Sequence, residues 1–445
     1  MSQAEFTEAA LHRPLNRSDY KTLSLSALGG ALEFYDFVIY VFFAAVVGKL
    51  FFPADMPDWL RQMQTYGIFA AGYLARPLGG IIIAHFGDLF GRKRMFTLSI
   101  FLMAVPTLLI GLLPTYETIG IAAPVLLLVF RILQGAAIGG EVPGAWVFVA
   151  EHVPTSRIGI ATGTLTSGLT GGILLGSLMS VLINKVYSAE EVAAFAWRIP
   201  FIVGGVFGFV AVYLRRFLEE TPIFKEMQAR KALAKGFPLE AVKEHLTGTV
   251  VSMLLTWVLS AAIVVVILMT PGYLQKIHGV APVLASQANA LATLTLTAGC
   301  IFFGWSCDRF GVRSTMLVGY VGLLAASYFF YHGLPAATEG GLFLRYGVAG
   351  FFVGAIATVP YVAVRAFPAA VRFSGLSFSY NVSYAIFGGL TPMVLTAWLQ
   401  TDALAPAHYV GALSVLGFLL AFVPVTARET TSRSVPGELA TAPGR

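Results

Sequence analysis

Long apolar runs alternate with short polar loops along the whole chain, and the runs share one length class. The hydrocarbon core of a bilayer takes about 20 apolar residues per helix. That window predicts helices over 23–51, 62–86, 95–113, 121–150, 158–183, 197–217, 249–274, 286–307, 314–333, 342–364, 373–399 and 407–427. The pattern is that of an all-α integral membrane protein with twelve transmembrane helices. Three polar stretches organise the runs: an N-terminal segment 1–22, a charged linker 218–248, and a tail 428–445 rich in Ser, Thr, Pro and Gly. The linker divides the chain into two six-helix halves, 23–217 and 249–427. The tail's composition reads as disordered.

One interruption recurs. Ala84-His85-Phe86-Gly87-Asp88-Leu89-Phe90-Gly91-Arg92-Lys93-Arg94 packs an acid, a turn glycine and three cations between the second and third runs. Gly304-Trp305-Ser306-Cys307-Asp308-Arg309-Phe310-Gly311-Val312-Arg313 does the same between the eighth and ninth. Asp308 follows Asp88 by 220 residues in a chain of 445. A repeat on that scale marks two homologous halves. Arg13, Arg17, Lys21, Arg92, Lys93, Arg94, Arg157, Arg309, Arg313, Arg365, Arg372 and the cations of the linker all fall on one side by loop parity. Positive loops face the cytoplasm, so both termini are expected there.

Composition excludes the soluble classes. The chain is 57% hydrophobic and 12% charged, against roughly 25% charged in soluble domains, and its mean hydropathy is +0.77. A net charge of +6 would suit a nucleic-acid partner in a soluble protein. Here the cations sit in the loops that set membrane orientation, so no nucleic-acid partner is expected. The two cysteines, Cys300 and Cys307, have no metal or redox spacing. No His-Glu-x-x-His, Gly-x-Ser-x-Gly or phosphate-binding loop is present, so neither an enzyme nor a cofactor is expected. With no loop for ATP, the proton gradient is the expected energy source. The polar first twenty residues carry no cleavage signal, so the first run is expected to remain as a membrane anchor.

The repeated Asp-x-x-Gly-(x)-Arg loop between the second and third helix of each half resembles that of the major facilitator superfamily, and the resemblance covers nearly the whole chain. Further stretches are similar to its metabolite:proton symporter family, whose members carry proline/betaine, citrate, α-ketoglutarate or shikimate. They are Glu33-Phe34-Tyr35-Asp36-Phe37, Leu74-Ala75-Arg76-Pro77-Leu78-Gly79-Gly80, Gln134-Gly135 with Gly139-Gly140-Glu141, Trp197-Arg198-Ile199-Pro200-Phe201 and Glu219-Glu220-Thr221-Pro222. Ala84 and Phe34 depart from the family's Gly and Trp. The resemblance implies the major facilitator fold, a monomer in the cell inner membrane, and alternating-access import of a small carboxylate metabolite with protons. An osmolyte symporter of the proline/betaine kind and an exporter or proton antiporter remain alternatives. The tail has no heptads, and Asn381 to Thr391 is more similar to the citrate and ketoglutarate branch, so an organic acid is the expectation.

Charges inside the spans carry the candidate chemistry, because each costs roughly 2.5–3.5 kcal/mol at mid-bilayer. Glu33 and Asp36 share a face of the first helix. Two carboxylates that close cannot both ionise cheaply, which suits a proton carrier; a permanently ion-paired structural acid is the other reading. Arg131 cannot give up its proton and needs an acid or an anionic substrate. The resemblance places it opposite the first helix, with Asp36–Arg131 as the expected pair and a proton on Asp36 releasing Arg131. Arg76 lies about 18 Å from the loop at Asp88, at mid-membrane, and suits a substrate carboxylate; a structural pair with Glu33 or Glu141 is its alternative. Tyr35, Gln134, Glu141, Tyr380, Asn381 and Tyr384 complete the expected substrate site, with interhelical packing as the alternative for the last three. Asp88, Arg92, Glu151, Arg157, Asp308 and Arg313 are the expected gate, pairing across helix ends when one side closes.

Overall fold

A computed structural model describes residues 13–90, 92–215, 217, 243–334 and 337–424. The linker and tail expectations fall mostly or wholly outside these residues, and so do the side chains of Glu33, Asp88 and Arg92. Among the described residues there are helices and turns but no strand.

The rods in chain order are α1 (Arg17–Phe51), α2 (Asp58–Phe90), α3 (Arg92–Leu112), α4 (Ala122–His152), α5 (Ile158–Val186) and α6 (Arg198–Arg215). They continue with α7 (Leu246–His278), α8 (Pro282–Phe310), α9 (Val312–His332), α10 (Glu339–Arg365), α11 (372–398) and α12 (Ala405–Leu420). The α7 and α11 rods each contain a π-helical stretch, Ile263–Met269 and Tyr384–Gly388. Eight described helices are long and apolar enough to cross a membrane, or nine if the bent pair ending in α6 is one span. The rods that miss this test offer only a short apolar stretch among the described residues, Thr97–Leu112 in α3 and Ala405–Leu420 in α12, or are polar and broken, as α11 is. Ser374, Ser377, Ser379, Asn381 and Ser383 of α11 are buried against protein, so its polarity reflects packing partners rather than water.

Packing repeats between the halves. In the first half α1 packs on α5 and α6, α2 on α4, and α3 on α4 and α6. The second half reproduces each pair six helices later: α7 on α11 and α12, α8 on α10, α9 on α10 and α12. The main seams between halves are α5 with α8 and α2 with α11, a set that maps onto itself when the halves are exchanged. That is the two-fold relation implied by the repeated loop.

Glycine makes the closest crossings possible. A Cβ at Gly135 of α4 would land on the carbonyl of Gly72 in α2, and one at Gly139 on the carbonyl of Arg76. A Cβ at Gly79 would strike the backbone of Ala136. Without side chains in between, α2 and α4 touch backbone to backbone over two turns. The α5–α8 seam does the same, since a Cβ at Gly304 would stand 2.8 Å from Gly163 Cα. Gly304 opens the second copy of the repeated loop, so its role is to let α8 approach α5. Gly311 in the same loop has φ +83°, a conformation open to glycine at little cost, and it turns the chain from α8 into α9.

Gly135→Ala is therefore expected to lower the melting temperature and the folded yield, because its methyl meets a backbone that cannot rotate away; overpacking costs about 1–3 kcal/mol. Gly171→Ala, in a helix interior with nothing within 4 Å of the new Cβ, is expected to be neutral or to raise stability by up to ~1 kcal/mol. Thermal unfolding of both variants in one detergent checks the contrast.

Candidate substrate site and gate

The α2–α4 crossing puts the Arg131 carbonyl beside Gly72 and the Arg76 carbonyl beside Gly139, so the two arginines leave the contact from successive levels. Both side chains are buried, at 1% and 0% exposure. Neither faces a carboxylate among the described residues; both lie on aromatic rings. The Arg76 guanidinium sits 4.8 Å from the ring centre of Phe37, 4.6 Å from Tyr73 and 4.5 Å from Tyr384. That of Arg131 lies 4.8 Å from the same Phe37 and 4.4 Å from Tyr40, with Phe69 at 5.8 Å. Phe37 thus lies within reach of both cations, and neighbouring rings continue the wall: Phe69 on Tyr73 at 4.7 Å, Tyr380 on Tyr384 at 5.2 Å, and Trp146 on Tyr380 at 5.1 Å.

The two arginines differ in how they are held. Arg131 Nη1 donates to Gln134 Oε1 at 2.9 Å, and Gln134 Nε2 donates to Thr107 Oγ1 at 2.7 Å. On Arg76, Nε and Nη1 are buried with no hydrogen-bond partner among the described residues, and on Arg131 the same holds for Nε and Nη2. Buried guanidinium donors left open in this way are suited to a carboxylate brought in from outside.

Arg76, Tyr380 and Tyr384 come together, with Tyr384 supplied by the second half. Gln134 is beside Arg131 and anchors it. The Asp36–Arg131 pair is not formed. Asp36 is next in sequence to Phe37, so its side chain leaves α1 about 100° away from the ring that meets the arginines. Its carboxylate instead lies over α6, where a Cβ at Gly204 would be 2.5 Å from Oδ1 and one at Gly208 3.2 Å from Oδ2. Tyr35 also turns to α6: its hydroxyl donates to Pro200 O at 3.0 Å and its ring meets Phe207 edge-on at 5.3 Å. Glu141 is buried further along α4. Asn381 serves the seam between halves: Nδ2 donates to Gly139 O at 2.5 Å, while Ser377 Oγ donates to Gly80 O at 3.1 Å.

The gate lies at the end of the bundle carrying the α8–α9 turn. Asp308 accepts from Gly159 N and Ile160 N, both at 2.8 Å, so its carboxylate caps α5 from across the seam. An anion suits this position because the first N–H groups of a helix are unpaired and carry partial positive charge. Glu151 pairs with Arg372 at 3.1 Å, joining α4 to α11. Arg365 donates to Thr155 O at 2.9 Å, again between halves. Arg157, expected in the gate, stands at the N-cap of α5 beside these contacts. Arg313 is a correction: it stacks on Phe422 of its own half at 4.5 Å, because the turn at Gly311 points α9 back toward α12. Arg365 and Arg372 do the bridging instead. The sequence presented both only as loop cations; their signal was their place at the same end of the bundle as the repeated motif, two helices later. The rings Phe37, Tyr40, Phe69 and Tyr73 gave no signal, since aromatic residues are common throughout the spans.

The family follows from one comparison. The Major Facilitator Superfamily model matches residues 27–392. The chain belongs to that superfamily. It is 34% identical over 406 residues to a putative proline/betaine transporter of Staphylococcus aureus strain COL, covering 90% of this chain and 87% of that one. It is 33% identical over 440 residues to the proline/betaine transporters of Salmonella typhimurium and Escherichia coli K12, covering 94% of this chain and 85% of each. Among solved structures, the proton:xylose symporter XylE bound to 6-bromo-6-deoxy-D-glucose superposes with a TM-score of 0.75 at 17% identity, over 91% of this chain and 96% of that one. The protein is therefore a multi-pass membrane transporter, not an enzyme. The expected organic-acid substrate finds no support among these relatives.

Asp308→Ala is expected to open the gated end. It removes two hydrogen bonds to a charged acceptor, each worth about 1.5–3 kcal/mol, although water replaces part of that. Spin labels at the starts of α5 and α9, read by pulsed electron resonance, should show the longer-distance population rise about tenfold or more over wild type.

Proposed function

We propose that the chain is a proton-coupled symporter that imports a small zwitterionic osmolyte of the proline/betaine kind across the inner membrane. The observation that carries this reading is the pair of buried arginines with open donors on a wall of aromatic rings. A carboxylate is the partner those donors lack, and ring faces suit the ammonium of the same small molecule. Proline and betaine contain both groups, so Arg76 keeps the carboxylate role expected from the sequence while the organic-acid reading gives way. The relatives' names support the same class.

In this reading all twelve rods cross the bilayer, both termini are cytoplasmic, and the gated end is the cytoplasmic one. The chain works as a monomer without a cofactor, driven by the proton gradient. Closed contacts at Asp308, Glu151–Arg372 and Arg365 then belong to a carrier sealed toward the cytoplasm, and rocking of the two halves about the α5–α8 and α2–α11 seams exposes the site to the other side.

Asp36 and Glu33 remain the proton-carrying candidates, and the geometry changes how Asp36 would act. Its carboxylate and the Thr107 methyl flank the same point on α6, Gly204. Thr107 accepts from Gln134, which accepts from Arg131. Protonation of Asp36 would reach Arg131 through this chain and through the seating of α6 on α1, rather than by breaking a direct ion pair.

Uptake into proteoliposomes with an imposed inward proton gradient tests the reading, with proline, betaine, citrate, α-ketoglutarate and shikimate as the panel. Wild type is expected to concentrate proline or betaine. Asp36→Asn is expected to lose accumulation while keeping exchange, and Arg76→Ala to lose both. Accumulation of citrate or α-ketoglutarate alone, or accumulation that persists in Asp36→Asn, would overturn the substrate class or the coupling role respectively.

A further inference from the structure

Arg76 lies in a corner of three rings, with Tyr73 and Tyr384 side by side as one wall and Phe37 as the other, and such a corner has the form of a receptor for an organic cation. Tyr73 and Tyr384 lie nearly parallel, 14° apart with centres at 5.6 Å, and Phe37 meets Tyr73 at 73° and 5.3 Å. The guanidinium carbon is 4.5–4.8 Å from all three ring centres. Rings so arranged attract weakly hydrated cations through their electron-rich faces, and quaternary ammonium groups are recognised by such cages. Here the caged cation is the protein's own.

Two contrasts make Arg76, rather than Arg131, the movable one. Arg131 is tied through Gln134 to Thr107, whereas Arg76, with two open donors just as Arg131 has, is held only by the rings and by tyrosine hydroxyls. The rings around Arg131 come from the first half alone; the cage around Arg76 is completed by Tyr384 from α11, at the start of its π-helical stretch. π-Helical insertions in α-helices are frequent at functional sites.

We propose that Phe37, Tyr73 and Tyr384 form the subsite for the ammonium group of the transported solute, and that the Arg76 guanidinium occupies it in the empty carrier as a tethered stand-in. The inference rests on the zwitterionic substrate proposed above. The solute's carboxylate draws the guanidinium out by pairing with its open donors, and its ammonium takes the vacated ring faces. A free cation without a carboxylate does not displace Arg76, because nothing then satisfies the guanidinium outside the cage. The carrier thereby rejects simple organic cations without any clash. Since Tyr384 closes the cage from the opposite half, a bound ammonium also holds the halves together at this level.

Titration of the full-length protein in lipid nanodiscs with tetramethylammonium chloride tests this, read by calorimetry. Wild type is expected to show no saturable binding, and Arg76→Ala to show it. Arg76→Ala/Tyr384→Leu and Arg76→Ala/Phe37→Leu should each weaken that binding about tenfold or more, in line with the worth of desolvated cation–ring contacts. Arg76→Gln serves as the second opened cage if the alanine variant does not fold. A wild-type arm needs no substitution: acetate should engage Arg76 and induce tetramethylammonium binding, each raising the other's affinity about fivefold or more. Equal binding to wild type and the opened variants would overturn the proposal. So would binding indifferent to the rings, or a folded opened variant that binds nothing together with no acetate effect in wild type. Uptake of proline or betaine with no such binding would sink the cage alone. Binding to the opened cage without uptake of either solute would sink the assigned substrates and leave the cage.

Discussion

The side-chain-free crossing of α2 and α4 is the constraint on which the rest of this structure depends. Gly79, Gly135 and Gly139 leave no room for a Cβ at the contact, so the two helices meet at backbone distance. Arg76 and Arg131 extend from that contact, and both end fully desolvated beside Phe37. A buried cation is costly unless something answers its charge. Ring faces answer it in part, and the open guanidinium donors mark what is missing. The site is thus defined as much by an unmet hydrogen-bonding need as by the groups present.

The same helices connect that site to the gate. α11 carries Tyr384 against Arg76, then Asn381 and Ser377 on the carbonyls of Gly139 and Gly80, then Arg372 on Glu151 at the closed end. On the symmetry-related seam, α8 carries Thr297 against Thr170, then Gly304 against Gly163, then Asp308 on the first amides of α5. Each seam runs from the middle of the bundle to the gated end through small residues and single polar contacts, which are individually weak; on the α2–α11 side, apolar pairs such as Ile83 with Phe373 and Tyr73 with Tyr384 pack between them.

What was legible in the sequence follows from repetition and from the energetic cost of charge in lipid. Asp308 was visible because its loop occurs twice, whereas Gly304, which stands where the first copy has Ala84, was visible through the family resemblance alone. Arg76 and Arg131 were visible because an arginine in an apolar run demands a partner. Arg313 misled, because spacing along a loop does not reveal which way the next helix turns after Gly311. Asp36–Arg131 misled for a related reason: one residue along a helix is a 100° rotation, and the face that meets α4 belongs to Phe37.

By itself the sequence determined an all-helical membrane chain of two related halves, a repeated loop motif and the charged positions Glu33, Asp36, Arg76, Arg131 and Glu141 inside the spans. Apolar length, loop charge and internal repetition are local or periodic properties, and these need no coordinates. The tertiary structure alone decided that the buried arginines face rings rather than acids, that Asp36 faces α6, and that Arg365 and Arg372 bridge the halves. These outcomes depend on helix rotation and on contacts between residues such as Phe37, Tyr73 and Tyr384, which lie far apart in the chain and meet only when the two halves pack. No linear pattern encodes such a meeting, because it is set by the depth at which each glycine lets its helix approach.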